Sequence, residues 1–477
     1  MSERVCKRLV FCFDGTSNTL DRAFPTNVAI TAAAVRNTSP SGPQIVYYDE
    51  GVGSTRDDAF KGGAFGSGLY EKVVEAYKFL VFNYEPGDEI FIFGFSRGAY
   101  TARSFAGLVH HVGVVNSCFA DQIKVATALY QKRDAGNPSN GLDLLTRFRR
   151  EFVPDCCASE EDLAWRKANV PGFDPDKAPI VRIRYIGVWD TVKTIGSSVL
   201  GDRDDDGEFD AAEFHDHNLH SSVDSARHAV ALDERRKKFD VTLWDNVDDL
   251  NKARGVAVDD PNRPYQQLWF PGDHGSVGGG GDVRGLSDEG LEWVLEGAKA
   301  AGLALDTSTV SRIYGIKPDA LASLENSSKT DWSVAGIGMK LLPRDDRVGP
   351  KALHEVALSS ILRWAAPKDM VPEDERYLPG SLSDIAPLMN GAASGYEDWE
   401  FRARGGYADG DEGLPDIKAN NQVFRRHAVK SGETLGVIAR DLLGDAKRKS
   451  EILALNRTTI IDPDRLYMGQ VLNLPKA

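Results

Sequence analysis

The chain has 477 residues, 42% of them hydrophobic, enough to bury a large core divided over two or three units. A formal net charge of −14 argues against a nucleic-acid partner, which needs a concentrated basic face to neutralise phosphates. The charge is uneven: residues 424–477 carry ten Lys and Arg against six Asp and Glu, a local +4 that leaves −18 on the remainder. A basic terminal module on an acidic body suits an anionic or wall-like partner, or is simply a solvated charged face.

Residues 1–8 run into a short strand-like segment instead of a signal-peptide apolar core, and no apolar stretch is long enough to span a bilayer. The expectation is synthesis in the cytoplasm without a signal peptide and export, if any, by a signal-independent route. Five cysteines (Cys6, Cys12, Cys118, Cys156, Cys157) lack metal-site spacing and read as reduced thiols.

In chain order, Val10–Phe13 and Ile45–Tyr48 are short apolar runs that stop at polar loops, as buried strands do. Between them residues 26–35 have the cap and composition of a helix, and Leu69–Tyr84 has an apolar helical stripe. Glu89–Phe93 is the next strand and Ala99–Val109 the next helix. Val181–Trp189 and Tyr265–Phe270 are further strands, ending at Asp190 and just before His274. Strands alternating with helices imply an α/β fold, a mostly parallel sheet with helices on both faces, and ligands at the strand ends. From Val371 to Asn421 the composition is rich in Gly, Asp, Glu, Ser and Pro, which reads as irregular structure, either a linker or an extended arm packed on the body. The resulting division is 1–370 catalytic, 371–423 arm or linker, and 424–477 terminal module.

Gly94-Phe95-Ser96-Arg97-Gly98 follows an apolar strand and precedes a helix, the setting of a nucleophile elbow, so Ser96 is the candidate nucleophile. Its base should be a histidine. Only His274 lies in a glycine-rich loop that allows close approach. His110 and His111 end a helix, where capping suits them, and His215, His217, His220 and His228 fall in one polar helical region, as surface or intersegment contacts. His354 and His427 have no catalytic context. The orienting carboxylate is Asp190, which gives the order Ser96, Asp190, His274; Asp273 competes, but adjacent side chains seldom face one another. The Arg97 amide would supply one oxyanion donor and the Asp14-Gly15-Thr16 loop, through Gly15, the other, with Asp14 equally readable as a turn cap.

From Asp202 to Glu213, carboxylates fall at loop positions 1, 3, 5, 9 and 12 (Asp202, Asp204, Asp206, Asp210, Glu213), with Gly207 at 6 and the Glu208 carbonyl completing the shell. This is the ligand pattern of a twelve-residue calcium loop, so Ca2+ is the expected cofactor, against a solvated acidic insertion. The preceding residues 194–201 make a poor entering helix.

Together, Phe13-Asp14-Gly15-Thr16-x-Asn18, residues 94–103, Gly187-Val188-Trp189-Asp190-Thr191-Val192 and Trp269-Phe270-Pro271-Gly272-x-His274 resemble the α/β-hydrolase-like family that contains the catalytic domain of type VI secretion phospholipase effectors. Residues 229–235 and Leu286-Ser287-Asp288 resemble its later signatures, and the match covers roughly residues 6–370. The resemblance implies hydrolysis of phospholipid acyl esters at a membrane surface, with Ser96, Asp190 and His274 on the family's triad positions. It also implies a secretion-apparatus partner, an immunity protein and action at the target cell envelope. Gly275-Ser276 departs from the pattern, where an acidic residue is expected shortly after the histidine.

Residues 425–475, with His427-Ala428-Val429-Lys430-Ser431-Gly432-Glu433-Thr434-Leu435 and Leu466-Tyr467-Met468-Gly469-Gln470, resemble a LysM domain, a compact βααβ unit. That resemblance implies binding of peptidoglycan or another N-acetylglucosamine polymer near Gly432, Glu433, Thr434 and Ile461, or docking onto a partner protein. An esterase acting on a wall-linked or other acyl substrate, and a non-catalytic glycan-binding scaffold, remain the alternatives.

Overall fold

The computed structural model describes residues 5–51, 65–132, 138–192, 218–325, 345–394 and 425–475, apart from 16–17, 21, 431, 457–459, 461–462, 464–465 and 467–470. Seven strands form one sheet: β1 (Arg8–Phe13), β2 (Thr38–Ser39), β3 (Gly42–Asp49), β4 (Glu89–Phe95), β5 (Ile183–Trp189), β6 (Ala226–Ala231) and β7 (Tyr265–Phe270). Their order is β2-β3-β1-β4-β5-β6-β7, with every pair parallel except the short β2–β3 edge. The α/β expectation is thus met.

Alternation along β1 and β4 feeds two cores at once, as a parallel sheet covered on both faces requires. Leu9, Phe11, Phe13, Ile90 and Ile92 pack on one side with α2 (Phe65–Asn83) and α3 (Arg97–Val112). Val10, Cys12, Phe91, Phe93 and Phe95 face the other side, against α1 (Asn27–Ala34) and α5 (Gly285–Ala300), while α4 (His274–Gly278) is a single short turn after β7. Burying each such side chain contributes about 1.5–3 kcal/mol, so this sheet is a stiff base for anything mounted at its strand ends.

One segment differs from expectation, and another takes the second of the two forms expected of it, with a helix added. His228 lies within β6, between β5 and β7, not in a polar helix. Every residue of the strand but the half-buried Arg227 is buried, so tertiary pairing overrides the weak strand propensity of Ala226-Arg227-His228-Ala229. Residues 371–394 pack on the body and carry a helix, Ala386–Ala393. Leu382, Ile385 and Met389 are buried, Tyr377 donates to Asp233 and Ser381 to the Leu232 carbonyl, so apolar anchors and strand-end contacts fix a composition that looks irregular.

The terminal unit has strands β8 (Arg425–Ala428) and β9 (Val471–Leu474), antiparallel, around helices Leu435–Leu443 and Lys449–Leu455. Leu435, Ile438, Ala439, Ile452, Leu453, Leu472 and Leu474 form its small core.

Candidate active site

The turn from β4 into α3 holds Ser96 at φ 59°, ψ −126°, a strained conformation for a non-glycine residue and the one that lifts a nucleophile above the sheet. The flanking glycines are sterically required. A Cβ on Gly94 would lie 2.6 Å from the Gly98 carbonyl oxygen, and one on Gly98 would lie 2.3 Å from the carbonyl oxygens of Phe13 and Asp14.

Two further strand ends bring their side chains to Ser96. His274 opens α4, with Nε2 2.8 Å from Ser96 Oγ and Nδ1 2.6 Å from Asp190 Oδ2. Phe95 and Phe239 flank the imidazole at ring-centroid distances of 4.6 and 4.9 Å. Asp273 is the N-cap of α4, accepting from the Ser276 amide and hydroxyl, so adjacency does not make it the imidazole's partner. The His274 amide lies 3.4 Å from Glu234 Oε2; a buried carboxylate does stand beside this residue, from the β6 end and not from residues 275–276.

Asp190 is fully buried and sits at φ 40°. Oδ1 accepts from the Ala231 amide at 2.9 Å and from Arg347 Nη1 at 2.7 Å, and Oδ2 accepts from Arg347 Nη2 at 3.1 Å. Burial alone would push this carboxyl up, but the Arg347 guanidinium, with His274 after it, holds it below the usual carboxylate range. Arg347 is itself anchored by the Ala231 and Phe239 carbonyls. Sequence reading missed Arg347, because nothing local marks it. His228 was misread as well: its Nε2 accepts from the Thr191 amide at 3.2 Å and its Nδ1 pairs with Gln267 Oε1 at 2.9 Å. Burial, then the charge of Arg103, lowers its pKa to about 3, so it stays neutral beneath the Asp190 turn.

Arg97 is the first residue of α3, so its amide emerges at the helix's positive end beside Ser96. The Gly15 amide is directed onto Asp14 Oδ1 at 2.7 Å, an engagement that differs from the oxyanion role expected of it. Gly15 nonetheless packs closely, since a Cβ there would lie 3.3 Å from Ser96 Cβ. Asp14 also accepts from Thr26, Tyr48 and Asn18, and burial raises its pKa despite those bonds.

The calcium-loop residues Asp202, Asp204, Asp206, Glu208, Asp210 and Glu213 lie outside the described residues, as does Ile461. Of the other glycan candidates, Gly432 has φ 80°, Glu433 bonds to His427 Nε2 and the Lys430 amide, and Thr434 caps its helix through the Val437 amide. All three shape the loop from within.

Residues 7–297 match the model of the family described as T6SS, phospholipase effector Tle1-like, catalytic domain, and residues 427–475 match the LysM domain. Among curated proteins, the chain is 29% identical over 248 residues to the uncharacterized protein YEL023C of Saccharomyces cerevisiae, covering 49% of this chain and 32% of that one. It is 38% identical over 50 residues to the potassium binding protein Kbp of Escherichia coli, covering 10% and 34%. The chain therefore spans about a third of the length of the curated relatives it matches. Two solved structures resemble it loosely. The Tle1 effector bound to the VgrG spike of the type 6 secretion system aligns at TM-score 0.28 and 18% identity, over 57% of this chain and 51% of that one. An uncharacterized protein from Pseudomonas aeruginosa aligns at TM-score 0.40 and 15% identity, over 86% and 63%. With its family model spanning more than half of the chain, this protein belongs to the Tle1-like phospholipase effector family of type VI secretion and carries a C-terminal LysM domain.

Proposed function

We propose that the chain is a serine esterase that cleaves phospholipid acyl esters in the manner of a phospholipase A. The observation that carries this reading is the unbroken relay from Ser96 Oγ through His274 to Asp190, at 2.8 and 2.6 Å, mounted on a strained elbow. Ser96 Oγ attacks the ester carbonyl as its proton passes to His274 Nε2. Asp190 stays ionised, fixes the tautomer through Nδ1 and stabilises the imidazolium. The oxyanion develops at the positive end of α3, by the Arg97 amide. His274 then returns the proton to the leaving lysolipid oxygen, and water, activated by the same base, releases the fatty acid and regenerates Ser96.

Family membership supports delivery by a type VI apparatus to a target envelope, where phospholipid is the substrate surface and the LysM domain holds the enzyme on peptidoglycan. An immunity protein would protect the producing cell. Calcium binding by residues 202–213 belongs to this proposal, and no chemical step is assigned to it. The LysM domain also favours a second reading, an esterase whose acyl substrate is attached to the wall.

The test compares fatty-acid release from mixed phosphatidylethanolamine and phosphatidylglycerol vesicles with hydrolysis of a soluble short-chain ester, each with calcium and with chelator. Faster turnover on vesicles supports the lipid reading. Turnover confined to the soluble ester favours the wall-linked substrate, and none on either favours the scaffold. A chelator-insensitive rate removes calcium from the account.

A further inference from the structure

At the far end of α3 from Ser96, three imidazoles converge from two separate segments. His110 and His111 occupy the last turn of the helix, and His220 lies in the segment that leads into β6. One ring nitrogen from each lies within 4.8 Å of the other two. Ring centroids are 4.2 Å apart for His110 and His220, 4.9 Å for His110 and His111, and 5.0 Å for His111 and His220. Three imidazoles on one tetrahedral zinc, with Zn–N near 2.0–2.1 Å, place their nitrogens about 3.4 Å and their ring centres about 5 Å apart. Two of the three centre spacings stand near that value, and the stacked pair His110–His220, 4.2 Å apart with 10° between planes, must separate and turn for both rings to face one ion.

The surroundings suit a cation. His110 Nδ1 pairs with Ser222 Oγ at 3.0 Å, the outer contact that sets the orientation of a ligating imidazole through its other nitrogen. The carbonyl end of a sixteen-residue helix favours positive charge. Of the nearby charged groups, Arg149 is paired with Asp162 at 3.2 Å and donates to the His111 carbonyl, so its charge is already engaged. All three histidines are half-buried.

We propose that His110, His111 and His220 form a structural site for a divalent transition metal of the zinc class, separate from the esterase centre. All-imidazole donors select zinc, cobalt, nickel or copper and disfavour calcium, whose ligands are oxygens. Bound metal would pin the end of the nucleophile's helix to the approach to β6, the strand whose Ala231 amide holds Asp190.

The full-length protein, carrying no histidine tag, is stripped with chelator and titrated with cobalt(II) chloride, with His111→Gln, His220→Gln and the control His427→Gln alongside. The wild type and the control should develop the visible band of tetrahedral cobalt, saturating at one equivalent and displaced by zinc but not by calcium. Each cluster variant should bind at least about tenfold more weakly. Zinc at about a hundredfold over its Kd should raise the wild-type unfolding midpoint by several degrees and leave the cluster variants unmoved. No stoichiometric band in the wild type, or a band kept in both cluster variants, overturns the proposal. Should a variant fail to fold, the wild-type titration alone decides it.

Discussion

Arg347 grips Asp190 through both terminal nitrogens, Nη1 to Oδ1 at 2.7 Å and Nη2 to Oδ2 at 3.1 Å, while the same Oδ2 pairs with His274 Nδ1 at 2.6 Å. A fully buried carboxylate is costly unless compensated, and here the compensation is a guanidinium fork contributed from more than seventy residues beyond the histidine. Removing it by Arg347→Ala should destabilise the protein by about 3–5 kcal/mol, read as a lower urea midpoint at unchanged slope. Arg347→Lys should restore part of the loss, since one ammonium replaces the fork.

The same pair makes a pH prediction. Asp190's folded pKa lies below its unfolded value, so its contribution to stability is present above the unfolded pKa, about 3.9, and is lost as pH falls through the depressed folded value. Without Arg347, burial is opposed less and the carboxyl titrates higher. The acid midpoint of unfolding in Arg347→Lys should therefore move to higher pH than in wild type. An unchanged midpoint would mean that Arg347 does not set the titration of Asp190.

Asp190 and Asp273 should separate cleanly. Asp190→Asn should lower kcat by about 10⁴, because His274 loses the partner that fixes its tautomer. Asp273→Asn, at an N-cap position where either residue serves, should stay within about tenfold of wild type in activity. Steady-state kinetics on a soluble ester decides between them.

Gly278 lies against Phe95, where a Cβ would stand 1.9 Å from the ring. Since Phe95 also packs on His274, Gly278→Ala should cost about 1–3 kcal/mol and reduce activity together with stability. Thermal unfolding and ester turnover measured on the same sample test that coupling.

His228 is neutral and buried with a pKa of about 3, against about 6.5 unfolded. Its folded value is depressed, so the unfolded state binds the extra proton first and stability falls as pH drops from about 6.5 towards 3. His228→Gln should flatten that part of the urea-midpoint profile. Equal slopes in both proteins would remove His228 from the acid response.

Legibility from sequence followed the physics of each feature. Val10–Phe13, Glu89–Phe93 and Tyr265–Phe270 are short segments rich in β-branched and aromatic residues that end at polar loops, so the sheet and its polar ends were readable, and Ser96, Asp190 and His274 with them. β6 was not, because Ala226-Arg227-His228-Ala229 becomes a strand only through its neighbours on both sides. Arg347 was invisible for a related reason: its role exists only in three dimensions, at a carboxylate 157 positions away in the chain. Helix Ala386–Ala393 hid in a glycine- and serine-rich stretch whose few apolar anchors dock onto the body. The Asp14 loop looked like an oxyanion element or a turn cap, and its Gly15 amide turns inward to Asp14.

The most direct measurement is labelling by a fluorophosphonate, which reacts only with an activated serine, followed by mass mapping of the modified peptide. Stoichiometric labelling on Ser96, absent in Ser96→Ala and strongly slowed in His274→Ala, is the predicted result. A folded wild type that takes up no probe, or takes it up at another serine, would contradict the account.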